Sequence, residues 1–183
     1  MDELDLLLEG NSRFMKKFSL DDLRELAKGQ KPYAVIVACS DSRVPPEVIF
    51  DEQRLGRLFV VRVAGNVAQE PSVQGSVEYA VEHLGARLLV VLGHTGCGAV
   101  SASFEKELSG EVAKLVKFIR PAAEASLETT DPEERMRIAV KKNVENQAAA
   151  LRKNDVVSQA INMGKLDVVA MLYHLEDGKV EVL

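Results

Sequence analysis

Tyr33-Ala34-Val35-Ile36-Val37-Ala38-Cys39-Ser40-Asp41-Ser42-Arg43 decides how this chain folds. Its first six residues form an apolar run too short for a helix. The run also lacks the alternation of a half-buried strand, which is the pattern of a strand covered on both faces in a parallel sheet. Residues 57–63 (Arg-Leu-Phe-Val-Val-Arg-Val) and 87–92 (Arg-Leu-Leu-Val-Val-Leu) read the same way. Between those two, residues 73–84 have helical spacing, begin after Pro71-Ser72 and stop near Gly85. Strand, helix, strand is the unit from which parallel sheets are built.

Working outward toward the N-terminus, residues 2–29 place Leu6, Leu7 and Phe14, then Leu20, Leu23 and Leu26, at helical spacing, with Asp21 and Asp22 opening a second helix. Toward the C-terminus the spacing predicts helices over 99–108, 111–125, 132–153 and 155–163. A last strong strand follows at 167–173. Glu176-Asp177-Gly178-Lys179 then reads as a hairpin-type turn before a short closing strand at 180–183. The expectation is a single α/β domain over residues 1–183, with a mainly parallel central sheet flanked by helices. Residues 1–30 form an N-terminal helical leader.

Composition narrows the function classes. Hydrophobic residues make up 46% and charged residues 28%, a globular balance, and 183 residues suffice for one buried core. A net charge of −5 with both signs interspersed supplies no basic face for nucleic acid and no polybasic anchor for a membrane, so neither partner is expected. The acidic start Met1-Asp2-Glu3-Leu4-Asp5 is unlike a secretory signal, and no apolar run approaches the roughly 20 residues of a membrane span, which points to the cytoplasm. In that reducing compartment the two cysteines, Cys39 and Cys97, are better suited to metal binding or catalysis than to a disulfide.

In open parallel sheets, sites form beyond the carboxyl ends of strands. Cys39-Ser40-Asp41-Ser42-Arg43 follows one strand and Gly93-His94-Thr95-Gly96-Cys97-Gly98 follows another, so both cysteines sit at strand ends. Taken singly, a cysteine there is often a small buried hydrophobe and a histidine a packed or capping residue. Two thiols and an imidazole converging on neighbouring strand ends instead match zinc. Zinc takes thiolate and imidazole tetrahedrally and, in catalytic sites, leaves one of four positions open. Asp41 would be either a fourth ligand or a group facing a bound water. The 93–98 segment is glycine-rich but lacks both the Gly-Lys-Ser/Thr ending of a P-loop and the dinucleotide-binding spacing. His83 and His174 read as surface or structural.

The pair Cys39-Ser40-Asp41-Ser42-Arg43 and His94-Thr95-Gly96-Cys97-Gly98 resembles the paired signature of the β-class carbonic anhydrases. The likeness runs from Lys31 to Ser101, through Ala64-Gly65-Asn66 and Glu78-Tyr79-Ala80, and touches the leader at Leu8-Glu9-Gly10-Asn11-Ser12-Arg13-Phe14. It implies one Zn2+ per chain held by Cys39, His94 and Cys97, with Asp41 and Arg43 as a catalytic pair. It also implies a substrate pocket made by Gln30, Phe59, Val61, Tyr79 and the backbone N–H of Gly98. The implied reaction is the reversible hydration of carbon dioxide to bicarbonate and a proton, by attack of a zinc-bound hydroxide. The implied assembly is a homodimer or dimer of dimers, with the leader packed on a neighbour and the pocket near the subunit boundary. Val63 and Ala64 depart from the Asn and Val of many plant-like members.

Some members of that family close the site by moving the counterpart of Asp41 onto zinc, a state linked to a tryptophan on the first strand. This chain has no tryptophan and carries Ile36 at that place, so an open site is expected at neutral pH. Asp41 would join the metal only in a closed state with its Arg43 pair broken. The rival readings are a zinc hydrolase acting on carbonyl sulfide or carbon disulfide, and a thiol-redox or metal-sensing module built on Cys39 and Cys97. The second leaves Asp41, Arg43 and Gln30 without a role.

Overall fold

The computed structural model describes residues 2–183. Its contacts divide the chain into two compact units, Met1–Gln30 and Lys31–Leu183. The first holds α1 (Glu3–Met15) and α2 (Leu20–Leu26). Each opens on a reciprocal capping box, Asp2 with Asp5 and Ser19 with Asp22, in which each side chain accepts the other residue's backbone N–H. Asp21 and Asp22 therefore lie in the first turn of α2 and Ser19 is its cap. Phe14 and Phe18 stack at 4.9 Å between ring centroids.

The second unit runs β1 (Ala34–Ala38), α3 (Pro46–Ile49), β2 (Leu58–Arg62), a 3-10 turn (Ala64–Asn66), α4 (Pro71–Glu82) and β3 (Leu88–His94). It continues through α5 (Gly98–Ala102), α6 (Gly110–Val116), α7 (Arg120–Glu124), α8 (Pro132–Arg152), α9 (Asp155–Asn162), β4 (Asp167–Tyr173) and β5 (Val180–Val182). The sheet order is β2-β1-β3-β4-β5. The first four strands are parallel, and β5 returns antiparallel to β4 across the 176–179 turn. From β1 the chain goes to one neighbour, β2, and comes back to the other, β3. That reversal opens a crevice at the carboxyl ends of β1 and β3.

The two faces of the sheet are covered unequally. Val35, Val37, Leu89, Val91 and Ala170 pack under α4, α8 and α9, through Val73, Val77, Val144, Ala148, Leu151 and Val157. The opposite face, Ile36, Ala38, Val90 and Leu92, continues through Met171 and Tyr173 of β4 and is packed by Leu175 and by Val44, Ile49 and Phe50 around the one-turn α3. Fully burying one such branched side chain stabilises the fold by about 1.5–3 kcal/mol. α8 lies so close to β3 that a Cβ on Gly93 would run into the side chain of Val144, which fixes the height of the strand end under the helix.

Several local expectations are corrected. The helix expected over 111–125 is two helices, because Pro121 has no amide hydrogen to continue the ladder. The helix expected over 99–108 ends at Ala102, where the Ser103 hydroxyl donates to the carbonyl of Val100. The run at 57–63 is a half-buried edge strand rather than one covered on both faces. The third strand extends two residues further than expected and ends on His94 itself. Among the described residues, no helix is long and apolar enough to cross a membrane.

Candidate metal centre

The crevice between β1 and β3 receives three buried donors. Cys39 is the residue after β1, His94 the last of β3, and Cys97 the residue that starts α5. Their ligand atoms all lie within 4.8 Å of one another. The two sulfurs are 4.0 Å apart and both thiols are free, twice the length of a disulfide bond. A tetrahedral site with metal–sulfur bonds of ~2.3 Å spreads two sulfurs about 3.8 Å apart, so the spacing suits one shared ion.

His94 supplies the sharpest test of fit. It is fully buried, its Nδ1 donates to the carbonyl oxygen of Thr95 at 2.9 Å, and its Nε2 has no hydrogen-bond partner. An unsatisfied buried nitrogen costs about 1–3 kcal/mol. Here the Nδ1 bond selects the tautomer that leaves the Nε2 lone pair free, facing the two sulfurs. The donor set and the orphaned nitrogen together fit zinc.

The sulfurs are held by backbone. Amides of Asp41 and Gly65 each lie 3.4 Å from the Cys39 sulfur. The Cys97 thiol, with these amides and the His94 ring, pushes Cys39 down against the opposing effect of burial. The same hydrogen bond and burial push Cys97 up. The two sulfurs thus push each other apart in acidity, and a cation in the site would favour the thiolate form of both. Burial lowers His94, but the charge of Cys39 and the Thr95 carbonyl more than offset this and leave it raised.

Asp41 sits beside this trio without belonging to it. Both carboxylate oxygens are taken by Arg43, whose Nε donates to Oδ1 at 2.9 Å and whose Nη2 donates to Oδ2 at 2.7 Å. The Arg43 backbone N–H adds a third bond at 2.9 Å. These bonds hold the carboxyl well below the usual carboxylate range. Its Oδ2 is 3.9 Å from His94 Nε2, so an ionised, pinned oxygen borders the space in front of the donors.

The remaining sequence candidates divide by position. Gly98 follows Cys97 at the start of α5 and stands at the centre. Val61 lies on β2 opposite Val37 and turns into the core under α4 and α8. Phe59 and Tyr79 come together, 6.2 Å between ring centroids. Phe59 is in register with Val35, however, four residues short of Cys39 and so about 13 Å down the sheet. Gln30 is exposed, at the end of the leader unit. His83 stacks on Tyr79 at the surface, and His174 pairs with Glu181.

Sequence reasoning missed three supports. Arg62, at the end of β2 opposite Ala38, donates to the carbonyl oxygens of Cys39 at 3.1 Å and Asp41 at 2.6 Å, pinning the loop between them. Thr95 is held by Glu176 and by the amide of Leu175, which steadies the carbonyl that orients His94. Asn143 and Gln147, buried on the inner face of α8, bind the backbone around Gly65. Only the last left a readable signal, two amides at core positions of an otherwise apolar helix face. A cavity of about 630 Å³ opens beside Thr95 and Gly96, but none of Cys39, Asp41, Arg43, His94 or Cys97 lines it.

Comparison with known proteins agrees with this geometry. A carbonic anhydrase family model matches residues 34–180. Carbonic anhydrase 2 of Mycobacterium tuberculosis is 40% identical over 188 aligned positions, covering 94% of this chain and 87% of that protein. A β-carbonic anhydrase of the fungal pathogen Aspergillus fumigatus superposes with a TM-score of 0.91 at 29% identity, over 100% of this chain and 91% of that one. One from Sordaria macrospora, described with a second as tetrameric, gives a TM-score of 0.90 at 25% identity over 98% and 96%. Family match, fold and the Cys39–His94–Cys97 cluster converge: the chain is an enzyme of the β-class carbonic anhydrase family.

Proposed function

We propose that this chain catalyses the reversible hydration of carbon dioxide to bicarbonate and a proton, with one zinc ion per chain held by Cys39, His94 and Cys97. The observation that carries this is the unpartnered, fully buried Nε2 of His94 facing two thiols, with an ionised Asp41 pinned beside it. Zinc there supplies Lewis-acid activation of water at neutral pH. The chain's own residues do the positioning. Arg43 keeps Asp41 ionised and off the metal, giving an open site of three protein ligands. Asp41 then accepts a hydrogen bond in front of the donors and orients the attacking lone pair toward the substrate.

Carbon dioxide carries no charge and bicarbonate does, so donors that meet the developing oxyanion favour the transition state over the ground state. The amide of Gly98 and the side chain of Gln30 take that role, and Phe59 and Tyr79 supply apolar walls, with Val61, turned into the core, backing Phe59's strand from within. Phe59 lies about 13 Å along the sheet from Cys39, and Tyr79 of α4 packs against it. They therefore serve the pocket of a second copy, in a homodimer or dimer of dimers whose leaders pack on their neighbours. The tetrameric relative in Sordaria macrospora supports that assembly. Two free thiols in the site suit a reducing, cytoplasmic location.

The test is stopped-flow carbon dioxide hydration on protein of measured zinc content, beside Cys97→Ser and with carbonyl sulfide as a competing substrate. One zinc per chain and fast hydration that is lost in the variant support the proposal. Bound zinc with turnover of carbonyl sulfide alone, or protein that binds no zinc, overturns it.

A further inference from the structure

α8 presents Ala139, Val140, Val144, Ala148 and Leu151 to the core, and in the same row Asn143 and Gln147, 1% and 0% exposed. Leucine or methionine would fill such positions without burying an amide. Every polar atom of the pair is instead used. Asn143 Nδ2 donates to the carbonyl of Gly65 at 2.9 Å. Gln147 Nε2 donates to Asn143 Oδ1 at 3.1 Å and to the carbonyl of Phe118 at 3.2 Å, and Gln147 Oε1 accepts from the amide of Ala68 at 2.9 Å.

Two of these bonds, at Gly65 and at Ala68, hold the segment around one turn. Gly65 has φ +66°, and a Cβ there would meet Ile119 and Ala99, so the turn admits no side chain. Asn66 beside it is also left-handed, at φ +47°. A turn with two consecutive left-handed residues is strained unless something over-determines it. Gly65 is gripped on both sides: its carbonyl by Asn143, its N–H by the Cys39 sulfur at 3.4 Å.

We propose that Asn143 is a positioning residue for the metal centre, holding Gly65 so that its amide stays on the Cys39 sulfur, with Gln147 locking Asn143 in turn. This rests on the reading of Cys39 as a zinc ligand. A thiolate that accepts an N–H donates less charge to its metal, so the helix sets the electron richness of the centre through a peptide rather than through a ligand. Losing the Asn143 amide orphans the buried Gly65 carbonyl and frees the turn to rotate.

The experiment uses full-length protein loaded with cobalt(II) in place of zinc, reading the sulfur-to-cobalt charge-transfer band and the rate of metal loss to a chelator. Asn143→Leu keeps the volume and removes the donor. It is expected to shift the band to lower energy and to weaken metal retention by about 10–100-fold. Leu151→Ala, two turns along the same buried face, destabilises the fold without touching the network and is expected to move neither readout. An Asn143→Leu protein with the wild-type band and retention overturns the proposal, as does an equal shift in Leu151→Ala. Should Asn143→Leu not fold, Gln147→Leu is read the same way: a smaller shift in the same direction supports the proposal and an unmoved band overturns it. Wild-type protein that takes up no metal overturns both this and the reading it rests on.

Discussion

Replacing Gly93 by alanine puts a methyl group where α8 already lies against β3, one residue before His94, a proposed metal ligand. The new carbon runs into Val144, which is fully buried in the main core and adjacent in sequence to Asn143. Overpacking of this kind costs about 1–3 kcal/mol. Val144→Ala alone removes two carbons from a closed core, about 1.6 kcal/mol of transfer free energy at ~0.8 per carbon. Incomplete collapse of the void brings its cost to about 2–3 kcal/mol. Combined, the alanine methyl at 93 occupies the space that Val144 vacates. The double variant should therefore be more stable than the sum of the single costs by at least ~1 kcal/mol, where independent sites agree within ~0.5 kcal/mol. In thermal melts a 2 kcal/mol single effect amounts to about 4–8 °C for a chain of this size. The assay is urea unfolding of the four proteins at equal metal load, with retention of bound metal measured alongside. Gly93→Ala should lose both stability and metal retention, and Val144→Ala should restore part of each. Additive costs, or a Gly93→Ala protein as stable as the parent, would refute the close approach of α8 to the strand that carries His94.

Three further outcomes follow from the site and its surroundings. Asp41→Asn should keep one metal per chain but lose about 100-fold in hydration rate, because the ligands are untouched while the oriented acceptor is gone; metal analysis and stopped-flow kinetics on the same sample check it. Arg62→Leu frees the carbonyls of Cys39 and Asp41 and should lower hydration about tenfold with its metal content unchanged. Unchanged turnover would show that the loop holds its shape without the clamp. Glu52, nearly buried and hydrogen-bonded by Arg54, is pushed from the ordinary 4.5 down to about 2. The unfolded chain then binds the proton more tightly than the folded one. The carboxylate's contribution is complete above about pH 4.5 and is lost as pH falls toward 2. Glu52→Gln should therefore flatten the fall in urea midpoint across that window, and equal slopes in the two proteins would contradict it.

The clustering of Cys39, His94 and Cys97 was legible because they are chemically unusual residues at positions where parallel strands end, and that inference needs only the strand assignments. Asp41 and Arg43 were legible for the same reason, being local to Cys39. The supports were hidden because each depends on register or on what a helix faces. Arg62 becomes a clamp only once β2 is aligned so that it lies opposite Ala38. Gly65 becomes a donor to sulfur only through a left-handed turn. Helix lengths failed where a single group interrupts the ladder, at Pro121 and Ser103, which periodicity over a window does not weigh. Phe59 and Tyr79 show the opposite limit. Their pairing is plain in the structure, yet the distance of Phe59 from Cys39 along the sheet could not be read from sequence spacing.

The measurement that tests the account most directly is zinc K-edge X-ray absorption of the native protein at neutral pH, with the zinc-to-chain ratio determined on the same sample. The expected result is one zinc per chain with two sulfur neighbours, one imidazole nitrogen and one light-atom neighbour from solvent, and the same spectrum in Asp41→Asn. A spectrum that changes when Asp41 is replaced would place that carboxylate on the metal and contradict the open centre; fewer than two sulfur neighbours would contradict the assignment of Cys39 and Cys97.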